Sequence, residues 1–273
     1  MKDFDIEKIA NSGEIFRLNK VYEDDKKSVY DLICRDKYLN IVYDKIQDNY
    51  KYSCDKKTFD KFYKDYFDID TDYKKYIKLC KKDDKFLKNA LRYGEGIKIL
   101  RRDKYEMLIS FIISQRKSIK AIKTSIERMC KLAGKKIKND YGIFYAFPTP
   151  EEIIKHKSKL STCGLGYRYP YIIEACEKII SGEINLESLD KLSTDELLKE
   201  LMKIKGVGLK VASCVALFSY HRLETCPMDV WMLRVLNDAY GGEFPKEYVP
   251  YLGVLQQYMF YYAKEEKNIK KEN

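Results

Sequence analysis

Before about residue 85 the chain alternates apolar and polar side chains over short runs, as in Ser28 Val29 Tyr30 Asp31 Leu32 Ile33 Cys34 and Tyr38 Leu39 Asn40 Ile41 Val42 Tyr43, with charged turns between them. A period of two is that of a half-buried antiparallel strand. From Phe86 onward the apolar residues fall three and four apart, as in Met107, Leu108, Phe111, Ile112 and again in Ile122, Ile126, Met129, which is the spacing of amphipathic helix. The expected fold is therefore α+β: an antiparallel sheet subdomain over residues 1–85, then a mostly α-helical domain over residues 86–273 with no further large sheet. The Lys-rich stretch Ala133 to Lys138 and the tail from Lys264 to Asn273 read as a loop and a frayed end. There is no internal repeat and no Pro- or Ser-rich linker, so the two parts are expected to pack closely.

A chain of 273 residues is long enough for a full core. Its 52 Lys and Arg against 42 Asp and Glu leave a net charge of +10, which favours a polyanionic partner without identifying it. No run of about 18 apolar residues occurs, and the start, Met1 to Lys8, has no apolar core. The expectation is a soluble intracellular protein, cytoplasmic or nucleoid-associated, acting as a monomer and away from membranes. Eight cysteines are scattered with no Cys-x-x-Cys, and there are only two histidines. That pattern supports neither a zinc site nor a disulfide framework, and the thiols read as reduced and mostly buried. No metal and no cofactor is expected.

Candidate chemistry concentrates between Leu201 and Asp229. The segment Ile204 Lys205 Gly206 Val207 Gly208 Leu209 Lys210 Val211 Ala212 places two glycines where a turn would join two helices. Taken alone, Gly-x-Gly also ends ordinary helices and decorates nucleotide loops. No apolar strand-like run precedes it, so the dinucleotide fingerprint lacks its strand, and no Gly-Lys-Ser/Thr follows to make a P-loop. A helix-hairpin-helix over about residues 198–220 remains. The N–H groups of Gly206, Val207 and Gly208, with a second helix starting at Leu209 or Lys210, could hold a DNA phosphate oxygen without reading bases. Farther on, Pro227 Met228 Asp229 precedes the helix-like run Val230 to Leu236, which ends before Gly241 and Gly242. Asp229 has the place of an N-cap, and a plain cap would account for it.

Ile204 to Ala212, together with Pro227 and Asp229, resembles the helix-hairpin-helix Gly-Pro-Asp superfamily of DNA glycosylases. Lysine at position 210, nineteen positions before Asp229, is similar to the members that both remove a base and nick the strand. The remainder of the chain resembles the 8-oxoguanine DNA glycosylases. The resemblance implies that Lys210 attacks the sugar carbon of the damaged nucleotide, forming an iminium that then loses the 3′ phosphate by β-elimination. Only a neutral amine attacks, and partial burial, neighbouring Lys203 and Lys205 and the helix dipole are expected to favour that form. Asp229 becomes the carboxylate that stabilises the cationic sugar, a role compatible with capping. Relatives with an iron–sulfur cluster carry four closely spaced cysteines after the Asp element, whereas no cysteine follows Cys226.

The resemblance also implies a base pocket. Ser12 Gly13 Glu14 Ile15 Phe16 Arg17 is similar to the family's early Ser-Gly-Gln-x-Phe-Arg segment, in which the glycine carbonyl accepts the N7 proton that 8-oxoguanine has and guanine lacks. Gln256 would bind the base edge and Phe260, one helical turn later, would stack on the ring, although Phe260 also reads as core. Cys214, four after Lys210, would form the opposite wall, and a small buried hydrophobe is its other reading. Pro227 completes the base-binding set. In Gly164 Leu165 Gly166 Tyr167 Arg168 the tyrosine would wedge into the duplex and the arginine contact the base left unpaired; by composition alone this is a glycine turn with two exposed side chains.

Four positions depart from the family pattern. Arg116 stands where an asparagine contacts the orphaned base, Ala121 where an arginine recognises the opposite cytosine, Glu14 where the front segment has glutamine, and Trp231 where a histidine follows the aspartate. Broad tolerance of the opposite base is expected. The implied partner is double-stranded DNA containing a damaged purine. Removal of another oxidised or alkylated base, and a non-catalytic DNA-binding module, stay open.

Overall fold

In the computed structural model, residues 3–272 are described, with side chains as far as Glu265. Helix α1 (Ile6–Asn11) begins where the Asp5 carboxylate accepts the N–H groups of Glu7 and Lys8, both at 3.0 Å. Four strands follow as an antiparallel meander in sequence order: β1 (Leu18–Glu23), β2 (Lys27–Cys34), β3 (Lys37–Asp44) and β4 (Asn49–Tyr52). The register opposes Tyr30 to Ile41 and Leu32 to Leu39, which stacks the apolar half of each alternating run on one face. That face packs into one core with Phe4, Ile6 and Ile9 and with Tyr63, Tyr66 and Phe67. The period-two reading located β2 and β3 and the antiparallel sheet they belong to, but not β1 and β4 individually. It also did not show α1, the short helical pieces Lys56–Thr58, Phe59–Tyr63 and Lys64–Tyr66 that cover the sheet, or Lys74–Ile77, whose Tyr76 packs into the helical core.

A second, larger core is helical. It is formed by α2 (Lys85–Tyr93), α3 (Lys104–Ser114), α4 (Ile119–Ala133), α5 (Pro150–Lys155), α6 (Tyr169–Ile180), α7 (Thr194–Met202), α8 (Leu209–Ser219), α9 (Val230–Tyr240) and α10 (Leu252–Glu272). Helices α3 and α8 pack against each other and are buried along most of their length, so they form the floor of this domain.

Two expectations need correction. Residues 136–138 are not loop: β5 (Lys136–Asn139) pairs with β6 (Gly142–Tyr145), setting Ile137 opposite Phe144. The lysines lie on the solvent side of this ribbon and masked its alternation. Nor is the tail frayed, because α10 carries on through Glu272, with Asn273 outside the described residues. Lys and Glu are good helix formers, and a helix already anchored by Val254, Leu255, Tyr258 and Met259 extends through them.

The domains are joined by polar contacts at their seam. Arg17, almost fully buried, donates from Nε to Glu127 of α4 at 2.9 Å and from Nη2 to the Tyr145 carbonyl at 2.6 Å, while Lys123 donates to the Leu18 carbonyl at 3.1 Å. All eight cysteines are free, five of them buried. Among the described residues no helix is long and apolar enough to cross a membrane.

Candidate active site at the helical hairpin

Helix α7 starts in a capping box between Ser193 and Glu196 and ends before a tight turn that delivers the chain into α8. Ile204 and Val207 anchor the turn in the core. The two glycines have different reasons to be glycine. At Gly206 φ is +82°, and a Cβ would lie 2.2 Å from the Tyr171 ring, so the turn closes only without a side chain. Gly208 has an ordinary extended conformation, φ −89° and ψ 177°, and nothing lies within 4 Å of a Cβ placed there. Its surface is open, with the first turn of α8 behind it.

Lys210 is the second residue of α8. It is exposed at the edge of the helical floor, with Nζ 5.7 Å from the centre of the Phe111 ring, so the expected partial burial does not hold. The first turn of a helix that follows an open hairpin has no layer above it. One turn on, Cys214 is buried, and burial pushes its thiol up to about 11 against the opposing pull of the Lys210 ammonium. The wall beside the lysine is thus a neutral S–H at neutral pH.

Asp229 is the N-cap of α9. Its Oδ1 accepts from Trp231 N at 3.0 Å and Met232 N at 2.9 Å, which fixes the carboxylate at the positive end of the helix. Gly241, in a left-handed conformation, ends the helix.

Lys210, Cys214 and Asp229 line a small cavity of about 60 Å³ together with Gly13, Pro227, Gln256 and Phe260. Those seven residues come from the turn after α1, from α8, from the segment before α9 and from α10. Gln257 donates to the Ser12 carbonyl at 3.0 Å, which ties the front segment to α10, and the Phe260 ring lies so close to Gly13 that a Cβ there would stand 3.1 Å from its Cε1. Sequence reasoning missed Phe111 and Phe218, stacked at 5.8 Å on the cavity floor, and also Gln257. The phenylalanines carry the ordinary core period of α3 and α8, which gives no separate signal.

The wedge segment is arranged differently from expectation in one respect. Tyr167 is 48% exposed, but Arg168 is only 6% exposed. Its guanidinium folds back 4.3 Å over the Tyr167 ring and donates to the carbonyls of Leu165 and Gln115. The arginine thereby ties the wedge turn to the carbonyl at the end of α3. Gln115 also donates from Nε2 to the Gly206 carbonyl at 3.0 Å, and Lys117 reaches the Gly164 carbonyl at 2.6 Å. The wedge turn, the end of α3 and the hairpin therefore form one hydrogen-bonded unit. Arg116, exposed and with φ +49°, stands at its corner.

Comparison with known families agrees with this architecture. Residues 1–108 match the 8-oxoguanine DNA glycosylase N-terminal domain, and residues 109–248 match the HhH-GPD superfamily base excision DNA repair proteins. The chain belongs to the 8-oxoguanine DNA glycosylases of the HhH-GPD superfamily. Among solved members of this group, MBOgg1 in complex with a low-affinity DNA ligand is 35% identical with a TM-score of 0.89, covering 98% of this chain and 94% of that one. The Clostridium acetobutylicum 8-oxoguanine glycosylase/lyase, bound to duplex DNA with cytosine opposite 8-oxoguanine, is 31% identical with a TM-score of 0.88 and the same coverage. A probable N-glycosylase/DNA lyase of Methanothermobacter thermautotrophicus is 29% identical over 67% of this chain and 68% of its own. The matches to curated N-glycosylase/DNA lyases span between 42% and 68% of those proteins' lengths.

Proposed function

We propose that this chain excises 8-oxoguanine from double-stranded DNA in base excision repair and then nicks the strand, with Lys210 as nucleophile and Asp229 as its electrostatic partner. The observation that carries the proposal is one cavity bringing Lys210 and Asp229 together with Gly13, Gln256 and Phe260 from four separated segments. Lys210 gives up its ammonium proton and its amine adds to C1′ as the N-glycosidic bond breaks; the bonding pair leaves with the base, which takes up the proton released from the lysine. Ring opening gives the Schiff base; loss of a C2′ proton then expels the 3′ phosphate. Asp229, held by two N–H groups through Oδ1, offers Oδ2 to the positive charge that develops on the sugar.

In this reading the sheet subdomain, residues 1–85, supplies Gly13, and the helical domain, residues 86–273, supplies the rest of the pocket. A single copy carries the full set and acts as a monomer inside the cell. Gly206 and Gly208 present N–H groups to a phosphate, and the open surface at Gly208 lets the DNA backbone approach; Val207, expected to join them, is buried and donates its N–H to the Ile204 carbonyl at 3.0 Å, so it shapes the turn instead. Tyr167 fills the space left by the extruded base, and Arg116, with Arg168 once it unfolds from Tyr167, faces the orphaned partner.

Borohydride trapping on a duplex with one 8-oxoguanine tests this. The parent is expected to give a covalent adduct that undamaged guanine does not give, and Lys210→Gln is expected to lose it while still binding duplex. An adduct only on a preformed abasic site would reopen the identity of the base, and a Lys210→Gln protein with full nicking activity would overturn the nucleophile.

A further inference from the structure

In the polar wall of the base cavity, Glu14 and Gln256 hold buried atoms with no hydrogen-bond partner among the described residues. Glu14, 1% exposed, has neither carboxyl oxygen hydrogen-bonded, and Gln256, 4% exposed, has its Oε1 unpaired. Behind them Arg102, 5% exposed, has all three guanidinium nitrogens unpaired. It lies 5.4 Å over the Phe218 ring that floors the cavity, and its backbone N–H donates to the Phe218 carbonyl at 3.2 Å. Buried polar atoms without partners are rare in folded proteins and call for a reason. A ligand that supplies the missing partners is one.

We propose that Glu14 is a specificity-determining residue for the extruded purine, its carboxyl donating a hydrogen bond to a carbonyl oxygen of the base once Phe260 moves off Gly13. The inference rests on the function proposed above and goes beyond it by assigning a role to the residue that departs from the family's glutamine. At about 60 Å³ the cavity is far smaller than sites that enclose ring ligands, so a base enters only if the wall opens. Phe260 is the part of that wall that packs on Gly13, and Glu14 is the next residue. The oxidised edge of 8-oxoguanine is a lactam, an N–H flanked by carbonyl oxygens. Such an edge needs an acceptor and a donor side by side. The resemblance gives the acceptor to the Gly13 carbonyl, and a protonated Glu14 carboxyl is the adjacent donor.

Protonation follows from the surroundings. Burial pushes the Glu14 carboxyl up to about 8 although the Arg102 cation pulls it down. The other groups on Arg102 are Glu106 of α3, itself raised to about 7 by burial, Tyr66 from the pieces covering the sheet, and Cys214 of α8. Lys210, Asp229 and Gln257 complete the polar lining of the cavity. An ionised Glu14 would set a negative charge against the carbonyl oxygens of the base. Glutamine at this position donates from its amide at any pH.

The test is single-turnover excision of 8-oxoguanine opposite dC from pH 6.5 to 9.5 by the parent and Glu14→Gln, with nicking of a preformed abasic site alongside. The ratio of parent to Glu14→Gln excision is expected to fall up to about tenfold per pH unit above pH 8, with no such fall on the abasic site, which has no base to contact. Parallel profiles on 8-oxoguanine would overturn the proposal, as would a fall of equal size on the abasic site. If Glu14→Gln does not fold, the affinity of Lys210→Gln protein for an 8-oxoguanine duplex, relative to a duplex with a stable abasic analogue, replaces it. A preference for the lesion that weakens above pH 8 supports the role, and a constant preference sinks it. If the parent excises no 8-oxoguanine at any pH, the underlying function fails and this role with it.

Discussion

Capping and catalysis at Asp229 can be separated, because the two roles need different properties of one side chain. The cap needs only an acceptor for Trp231 N and Met232 N, which Oδ1 supplies at 3.0 and 2.9 Å. The chemistry needs negative charge. Asp229→Asn keeps an acceptor oxygen in the same place, and Asn and Asp are about equal as N-caps, so its stability change is expected to stay within about 0.5 kcal/mol. Asp229→Ala removes the acceptor from the start of the eleven-residue helix α9 and is expected to cost about 1 kcal/mol. For a chain of this size that lowers Tm by roughly 2–4 °C. Both variants lose the charge, and removing one electrostatic stabiliser from an active site slows the chemical step by about 10² to 10³-fold. Calorimetric melting beside single-turnover excision reads both effects. The reasoning is refuted if Asp229→Asn melts as low as Asp229→Ala, or if Asp229→Asn excises at the parental rate.

The hairpin glycines should separate in the same way. Gly206→Ala drives a methyl into Tyr171 at a positive φ and is expected to cost about 2 kcal/mol or more in a melting experiment. Gly208→Ala meets nothing within 4 Å, so its stability should shift by no more than about 0.5 kcal/mol while duplex affinity, followed by fluorescence anisotropy, falls. With Ala121 and Arg116 at the two positions that would read the opposite base, excision rates opposite dC and dA should lie within about tenfold, and Ala121→Arg should widen the gap in favour of dC. A strong dC preference in the parent would contradict this. Glu14 also predicts a pH effect on stability. Its folded carboxyl holds the proton up to about 8, whereas an ordinary carboxyl at 4.5 releases it early, so the folded state loses stability as pH rises between those values. Glu14→Gln removes that loss, and its Tm advantage over the parent should grow from pH 5 to pH 8 and then level; a constant difference would count against the buried neutral acid.

Local rules carried much of this protein. The period-two runs around Val29 and Ile41 became β2 and β3, and the three-and-four spacing of Met107 to Ile112 became α3. Asp229 before Val230 and Gly241 after Tyr240 bracketed α9 as capping chemistry predicts. These outcomes depend on hydrogen bonds and burial patterns within a few residues, so one sequence suffices to read them. The same local view failed where composition hid the pattern, at the lysine-flanked β5 and in the charged end of α10.

Contacts between distant segments were decided by packing. Gly13 and Gln256 stand more than two hundred positions apart, and only the seating of α10 against the front segment, through Gln257 and the Ser12 carbonyl, puts them in one cavity. The difference between Gly206 and Gly208 is equally invisible in a Gly-Val-Gly string, since it depends on where the Tyr171 ring lies. Arg168 looked exposed because its neighbours are glycines, yet the carbonyls of Leu165 and Gln115 hold it in. The sequence by itself determined which residues have the chemistry and which elements bear them. Tertiary structure alone decided which of those groups are buried, paired or left without a partner, because desolvation and hydrogen bonding depend on every segment that surrounds a side chain.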